Sequence, residues 1–167
     1  SSVLGGQGND SLIVQGSVVG GNVEGNSGND SISIGQQVSN ALIAGGQGND
    51  TLSIAAVVGG QVGGQLGADS MSVGGKVVDA LVSMTSAGDP DSTSDGADTL
   101  TVVGSVSNST IYAGAGADSI NLASHLLAGS LYGGSGNDTV IVGGSLSGLT
   151  SLQDGADSLS AATANAA

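Results

Sequence analysis

Aspartate recurs along this chain at a nearly constant interval, and each copy follows a glycine-rich turn. The eight aspartates are Asp10, Asp30, Asp50, Asp69, Asp98, Asp118, Asp138 and Asp157. The gaps between them are 20, 20, 19, 29, 20, 20 and 19 residues. A repeat of this length is too short to bury a core alone, so it predicts a solenoid in which each coil packs on its neighbours.

Apolar residues recur at fixed distances from each aspartate, which we number as position 0. Positions +2 and +4 are apolar, as Leu12 and Val14 show in the first copy. This alternation predicts a β-strand with two inward ranks. Two further inward ranks are predicted at +8, including Val58, and near +13, where Val62 stands one place early. The pattern predicts an all-β fold, a parallel β-solenoid of about eight coils, each with two short strands and two turns.

The composition agrees with a thin solenoid. The 167 residues include 32 Gly and no Cys, Phe or Trp, so narrow layers of Val, Ile and Leu must form the core. We predict a single domain over residues 1–167. No apolar run approaches the length of a transmembrane helix, which predicts no membrane insertion. No initiator Met or signal peptide is visible, which predicts a processed chain or a fragment.

The charge of the chain predicts a cationic ligand. The formal net charge is −13, with one basic residue, Lys76, so nucleic acid is not expected as a partner. Carboxylates about 5 Å apart on successive coils repel by roughly 3 kcal/mol per pair at an effective dielectric near 20. A divalent ion in each gap between coils would offset this repulsion, and the metal-free chain should be poorly ordered.

A glycine-rich nonapeptide carries a resemblance to a known family. It reads GGQGNDSLI at residues 5–13, GGQGNDTLS at 45–53 and GGSGNDTVI at 133–141. Residues 25–33 and 113–121 match with small changes, and the turns at 65–69, 93–98 and 153–157 keep a Gly-Ala-Asp core. The pattern resembles the calcium-binding repeat of the RTX (repeats-in-toxin) family.

The resemblance implies Ca²⁺ between adjacent coils, bound by Asp carboxylates and turn carbonyls, in proteins that are exported unfolded and fold outside the cell. Typical members repeat the motif every nine residues and bind calcium on both edges. The longer period here implies a one-sided variant with calcium along one edge. Up to about seven ions would fill the gaps between eight coils.

Calcium also suits the residues themselves. It takes several oxygen ligands in flexible geometry, whereas zinc prefers Cys or His, and the chain has no Cys and one His, His125. The alternative is that Gly-Asn-Asp is only a good turn sequence. Asparagine at −1 is predicted to take a left-handed conformation. Besides the eight aspartates, the predicted metal-site residues are Gly8, Gly28, Gly48, Gly67, Gly96, Gly116, Gly136 and Gly155 at −2, and Asn9, Asn29, Asn49 and Asn137 at −1.

One segment interrupts the period. About nine residues are added between Asp69 and Asp98, and we place them in an acidic loop at about 86–95 that contains the only Pro. Asp89, Asp91 and Asp95 have the alternate spacing with which an EF-hand loop begins, but its central Gly and final Glu are missing. A separate metal site there is one hypothesis, and a solvated acidic loop is the other.

Ser or Thr occupies position +1 in every copy and position +3 in most. These outward ranks predict a contact surface for a glycan or ice, or simply a solvated sheet. Its candidate residues are Ser31, Ser33, Thr51, Ser53, Thr99 and Thr101. Tyr112 and Tyr132 share position +14, which predicts a stacked pair.

The sequence contains no nucleophile–base arrangement, so we predict that the chain is not an enzyme. We predict an extracellular, calcium-stabilised structural module of a bacterial surface layer, fibre or appendage. It would self-assemble as a homo-oligomer or continue a longer repeat protein. The alternatives are the ligand-binding module of an adhesin and the secretion domain of a larger exported enzyme or toxin. The absence of thiols and the need for abundant calcium suit a secreted or cell-surface protein.

Overall fold

The computed structural model describes residues 1–85 and 95–164, and these form a parallel β-solenoid of about eight turns. Every strand pair is parallel and joins equivalent positions of successive coils, for example Thr99 with Ser119. The eighteen strands of the described residues belong to one hydrogen-bonded sheet. The predicted fold class is therefore confirmed. None of the described residues forms a helix with the length and hydrophobicity that crossing a bilayer requires.

Each coil contains three strand segments, whereas the sequence predicted two. The first covers +1 to +4, the second +8 and +9, and the third about +12 to +17. The sequence analysis treated +8 as a rank just past a turn. A segment of only two residues is too short to display an alternation, so the pattern could not reveal it as a strand.

The strands, numbered in chain order, follow this threefold division. Those that begin with the first segment are β2 (Ser11–Val14), β5 (Ser31–Gln47), β6 (Thr51–Leu66), β7 (Ser70–Val73), β10 (Thr99–Val102), β13 (Ser119–Leu122), β16 (Thr139–Leu146) and β18 (Ser158–Ala164). Those of the second segment are β3 (Val18–Val19), β8 (Val77–Val78), β11 (Val106–Ser107) and β14 (Leu126–Leu127). Those of the third segment are β1 (Ser2–Gln7), β4 (Asn22–Ser27), β9 (Leu81–Ser83), β12 (Thr110–Ala115), β15 (Ser130–Ser135) and β17 (Leu149–Ser151).

The core is a stack of thin apolar layers. The ranks at +2, +4 and +13 are buried through the central coils, as Leu52, Ile54 and Val62 show at 2% exposure or less. One prediction was wrong: in the third coil the inward residue of the +8 rank is Val57, which stands at +7 and is fully buried, and not Val58. Val57 pairs with Val38 because the one-residue deletion lies earlier in the coil, just after Ile54.

The inserted residues open from the turn that precedes Asp98. Thr85 forms a β-bridge with Gln65, which stands at −4 relative to Asp69, so Thr85 occupies the −4 place of its own coil. Asp95 stands at −3 relative to Asp98. Residues 86–94 therefore join positions −4 and −3 of a single turn. The predicted loop, with Asp89 and Asp91, lies outside the described residues, except for Asp95, which belongs to the coil.

Candidate metal centre

The eight periodic aspartates lie one above another along one edge of the solenoid. From Asp30 onward, the Oδ1 atom of each aspartate accepts a hydrogen bond from the backbone N–H of the aspartate one coil earlier. The seven N–O distances run from 2.6 to 3.0 Å. The Oδ1 atom of each of these carboxylates therefore links two coils by a hydrogen bond, and this bond fixes the orientation of the side chain.

The column is buried along most of its length. Asp10 and Asp157, at its two ends, are partly exposed. The six inner aspartates are each 1–2% exposed, namely Asp30, Asp50, Asp69, Asp98, Asp118 and Asp138. Six carboxylates in one buried row need compensation, because an isolated buried charge costs several kcal/mol.

The second oxygen of these carboxylates receives no such compensation from the protein. Within the described residues, Oδ2 of every aspartate in the column except Asp157 is buried and has no hydrogen-bond partner. An ionised carboxylate oxygen only accepts, and a cation would compensate for the donor that the protein does not provide. The orphaned Oδ2 atoms are the observation that fits a bound metal.

The electrostatics of the column point the same way. Burial raises the pKa of Asp50 to about 6, that of Asp69 to about 7 and that of Asp98 to about 9. Burial likewise raises the pKa of Asp118, to about 6, and that of Asp138. Repulsion from neighbouring carboxylates adds to these pKa shifts, and the hydrogen bond from the preceding coil opposes them. Without a cation, part of the column, with Asp98 foremost, would retain protons near neutral pH.

The turn before each aspartate adds backbone oxygens to the same edge. The glycine at −2 has a φ between +100° and +153° in seven turns. A β-carbon at Gly28 or Gly136 would collide with the carbonyl oxygen of the −2 glycine one coil earlier. Carbonyl oxygens therefore stack along the edge that carries the carboxylates. An all-oxygen set of this kind suits Ca²⁺.

The asparagines at −1 do not behave as predicted. None of Asn9, Asn29, Asn49 and Asn137 has a positive φ, since the left-handed positions of the turn are −4 and −2. Each of them instead accepts, through Oδ1, the backbone N–H of the −1 residue in the following coil at 2.8–3.0 Å. The aspartate side chains therefore accept hydrogen bonds from the preceding coil, whereas the asparagine side chains accept them from the following coil, so the two residues form two ladders of opposite direction. Sequence reasoning missed the second ladder.

Side chains alone do not complete a metal site. In the described part of the chain, no group of three or more His, Asp or Glu side chains converges. A cation at this edge would thus require the turn carbonyls in addition to the carboxylates. His125 is exposed, and its Nδ1 accepts the N–H of Ser145 at 2.8 Å.

The predicted contact residues lie on the first strand segment. Position +1 is exposed in all eight coils, so Ser31, Thr51 and Thr99 belong to one uninterrupted row. At +3, Ser53 is exposed, whereas Ser33 and Thr101 are half-buried. On the third segment, the predicted pair is confirmed: the rings of Tyr112 and Tyr132 stack with centroids 4.9 Å apart and planes at 15°.

The family comparison agrees with the geometry. The model of the RTX calcium-binding nonapeptide repeat matches residues 40–53, 92–124 and 130–145, and it consists of four copies of the repeat. No curated protein and no solved structure matches the chain. The matched segments contain turns of the aspartate column. The chain therefore carries RTX calcium-binding nonapeptide repeats in these segments and folds as a parallel β-solenoid of about eight turns.

Proposed function

We propose that this repeat domain is an extracellular structural module whose folded state depends on calcium, in a bacterial surface layer, fibre or appendage. The main observation in support of this proposal is the row of buried carboxylates. Their Oδ2 atoms have no hydrogen-bond partner among the described residues. A protein that buries so much negative charge requires a cation-rich medium, and extracellular calcium is millimolar, far above the cytosolic level.

The proposed ligands are the aspartates at position 0 together with the carbonyl oxygens of the −2 glycines and the neighbouring turn residues. A calcium ion held by these oxygens would supply the positive charge that lets adjacent carboxylates remain ionised. The Oδ1 atoms stay engaged with the N–H groups of the preceding coil, and the Oδ2 atoms are available to the metal. Folding and metal binding are then linked, because the coils bring the ligands together only when stacked.

Calcium titration followed by circular dichroism tests the first part of this proposal. We expect a weak β signal after chelation, a native signal at millimolar Ca²⁺, and a much smaller response to Mg²⁺, which favours octahedral sites with retained waters. A β signal and melting temperature that are unchanged by a chelator would refute calcium dependence.

Electron microscopy of the calcium-loaded protein tests the structural role. We expect filaments or a lattice that dissolve on chelation. Calcium-loaded particles that stay monomeric at all concentrations would refute self-assembly by this chain. The proposal of a secretion domain would be favoured instead if a longer form of the chain carried catalytic motifs.

The exposed hydroxyl row favours a second candidate, the binding module of an adhesin. Thr51 and Thr99 are in register, since both pair with Ser70 of the strand between them. Neighbouring strands of such a sheet lie about 4.8 Å apart. Thr51→Val and Thr99→Val together would remove two hydroxyls and keep the β-branched shape. Glycan or ice affinity lost in this variant, but kept in a Thr110→Val control on the third segment, would support the candidate.

A further inference from the structure

The turn before Asp98 differs from the other turns of the column. In five other turns, the N–H of the −2 glycine donates to the −3 carbonyl of the next coil at 2.8 Å, as Gly28 does to Gln47. The N–H of Gly67 donates to the carboxylate Oδ1 of Asp95, at 3.3 Å. Gly96 is also the one −2 glycine whose φ is not in the positive region. At this turn, a side chain has taken over the role of the −3 carbonyl.

The other oxygen of Asp95 occupies a place that a backbone carbonyl occupies elsewhere. A β-carbon at Gly134 would collide with the carbonyl oxygen of Gly114, the −4 residue one coil earlier. A β-carbon at Gly114 would instead stand 2.6 Å from Oδ2 of Asp95. The carboxylate of Asp95 therefore replaces the −3 carbonyl toward one neighbouring coil and the −4 carbonyl toward the other.

Oδ2 of Asp95 is also without compensation. It is buried and has no hydrogen-bond partner, while Thr85 hydrogen-bonds the same carboxylate. Asp98 and Asp118, each 2% exposed, present orphaned Oδ2 atoms of their own. The charge of Asp95 also acts on Asp69, Asp98 and Asp118, since it contributes to the raised pKa values of all three. Negative charge is thus concentrated at this point of the column.

Building on the proposed calcium dependence, we propose that Asp95 is an additional calcium ligand between the coils of Asp98 and Asp118, and that this gap is the tightest calcium site of the column. Exchange of a neutral carbonyl for a carboxylate adds a negative charge to the oxygen set, and calcium affinity rises with the charge of the ligands.

Asp154 offers a matched comparison. It is the only other aspartate at −3, in the turn before Asp157. There the backbone carbonyl of Asp154 accepts the N–H of Gly136 at 2.8 Å, Gly155 keeps a φ of 153°, and the Asp154 side chain is exposed. The same residue at the same position thus faces solvent in one turn and the column in the other.

Calorimetric calcium titrations of the wild type, Asp95→Asn and Asp154→Asn test the proposal. Asparagine keeps an oxygen for the N–H of Gly67 and removes the charge. We expect the wild type to bind one ion at least about tenfold more tightly than the rest. Asp95→Asn should lose this tight site and keep the weaker sites. Asp154→Asn should give the same calcium titration as the wild type.

An Asp95→Asn titration that superimposes on the wild type, in a protein that binds calcium, would overturn the role of Asp95 and leave the proposed function intact. Absence of calcium binding in the wild type would overturn the proposed function and this inference with it.

Terbium luminescence gives a second test that needs only the wild type. Tyr112 and Tyr132 are the only tyrosines, the chain has no Trp, and Tyr112 lies in the strand that leads into the turn of Asp118. The first equivalent of Tb³⁺ should give tyrosine-sensitised emission that Ca²⁺ displaces. Emission that appears only after several equivalents would place the tightest site elsewhere and refute the proposal.

Discussion

Two corners of the solenoid reverse the chain in different ways. The corner before each aspartate has glycine at −2 in all eight copies. The corner after the second strand segment, at about +10, also uses left-handed backbone, but its residues vary in type. They are Gly20, Asn40, Gly59, Asp79, Asn108 and Ala128.

The difference has a steric cause. At +10 the φ values lie between 48° and 72°, a region that asparagine and aspartate enter at modest cost. At −2 in every coil after the first, a β-carbon would stand 2.8 Å or less from the carbonyl oxygen of the −2 glycine one coil earlier, as at Gly28 with the oxygen of Gly8, so a side chain does not fit there. The +10 corner turns the chain without a repeated acid. The aspartate at position 0 is therefore explained by what its carboxylate binds rather than by the turn itself.

The pH dependence of the calcium-free protein is the largest effect expected from this comparison, because only the aspartate corner buries its acids. The pKa values of Asp50, Asp69 and Asp98 are raised by burial to about 6, 7 and 9. The folded state then binds more protons than the unfolded state between about pH 4 and pH 9, so stability falls as pH rises through this window.

Metal-free protein should therefore keep more β signal and a higher melting temperature near pH 5, where the acids are protonated, than near pH 8, where the metal-free chain is poorly ordered. Calcium should reverse the trend, because protons compete with the metal for the carboxylates. If the calcium-free protein instead melted at a higher temperature near pH 8, these carboxylates could not be buried without a neighbouring positive charge.

Gly136→Ala should have the next largest effect. The added β-carbon meets the carbonyl oxygen of Gly116 at a φ of 134°, and both the strain and the collision involve backbone. We expect a loss of roughly 3 kcal/mol in the free energy of unfolding with calcium present. Chemical denaturation measures this loss. Asn108→Ala, at the other corner, should lose only about 1 kcal/mol, and equal losses would remove the distinction between the corners.

Asp118→Asn should reveal the role of the acid itself. The variant keeps an oxygen for the N–H of Asp98 and replaces the orphaned charge with a neutral amide. We expect the calcium-free melting temperature to rise and the further increase on adding calcium to shrink, with the affinity of the adjoining gaps reduced about tenfold. Asp79→Asn, exposed at the +10 corner, is the control and should change neither melt.

Ala128→Gly is the mildest change. Ala128 has a φ of 50°, which costs an ordinary residue about 1–2 kcal/mol, and glycine relieves this cost while increasing the entropy of the unfolded chain. A net stabilisation of less than about 1 kcal/mol is expected from denaturant melts. A loss of stability would mean that the methyl group of Ala128 makes contacts that outweigh the strain.

Much of the fold could be read from the period. Leu100 and Val102 stand at +2 and +4 and are buried, as the alternation predicts. The aspartates fall in one column because the coil length stays at 19 or 20 residues, apart from the residues added before Asp98. Where the count changes by one, the prediction was wrong, as for Val58, because the alternation does not reveal where inside a coil a residue has been deleted.

The sequence alone determined the solenoid, the burial of its apolar ranks and the alignment of eight acids, since a regular period places equivalent residues on one edge of a stack. Only the tertiary structure decided which oxygen of each acid bonds to the neighbouring coil and which is left without a partner. It also decided that Asp95 turns toward the column while Asp154 faces solvent. The physical reason is that the surroundings of a carboxylate depend on the backbone of the adjacent coils, which the position of a residue within its own repeat does not specify.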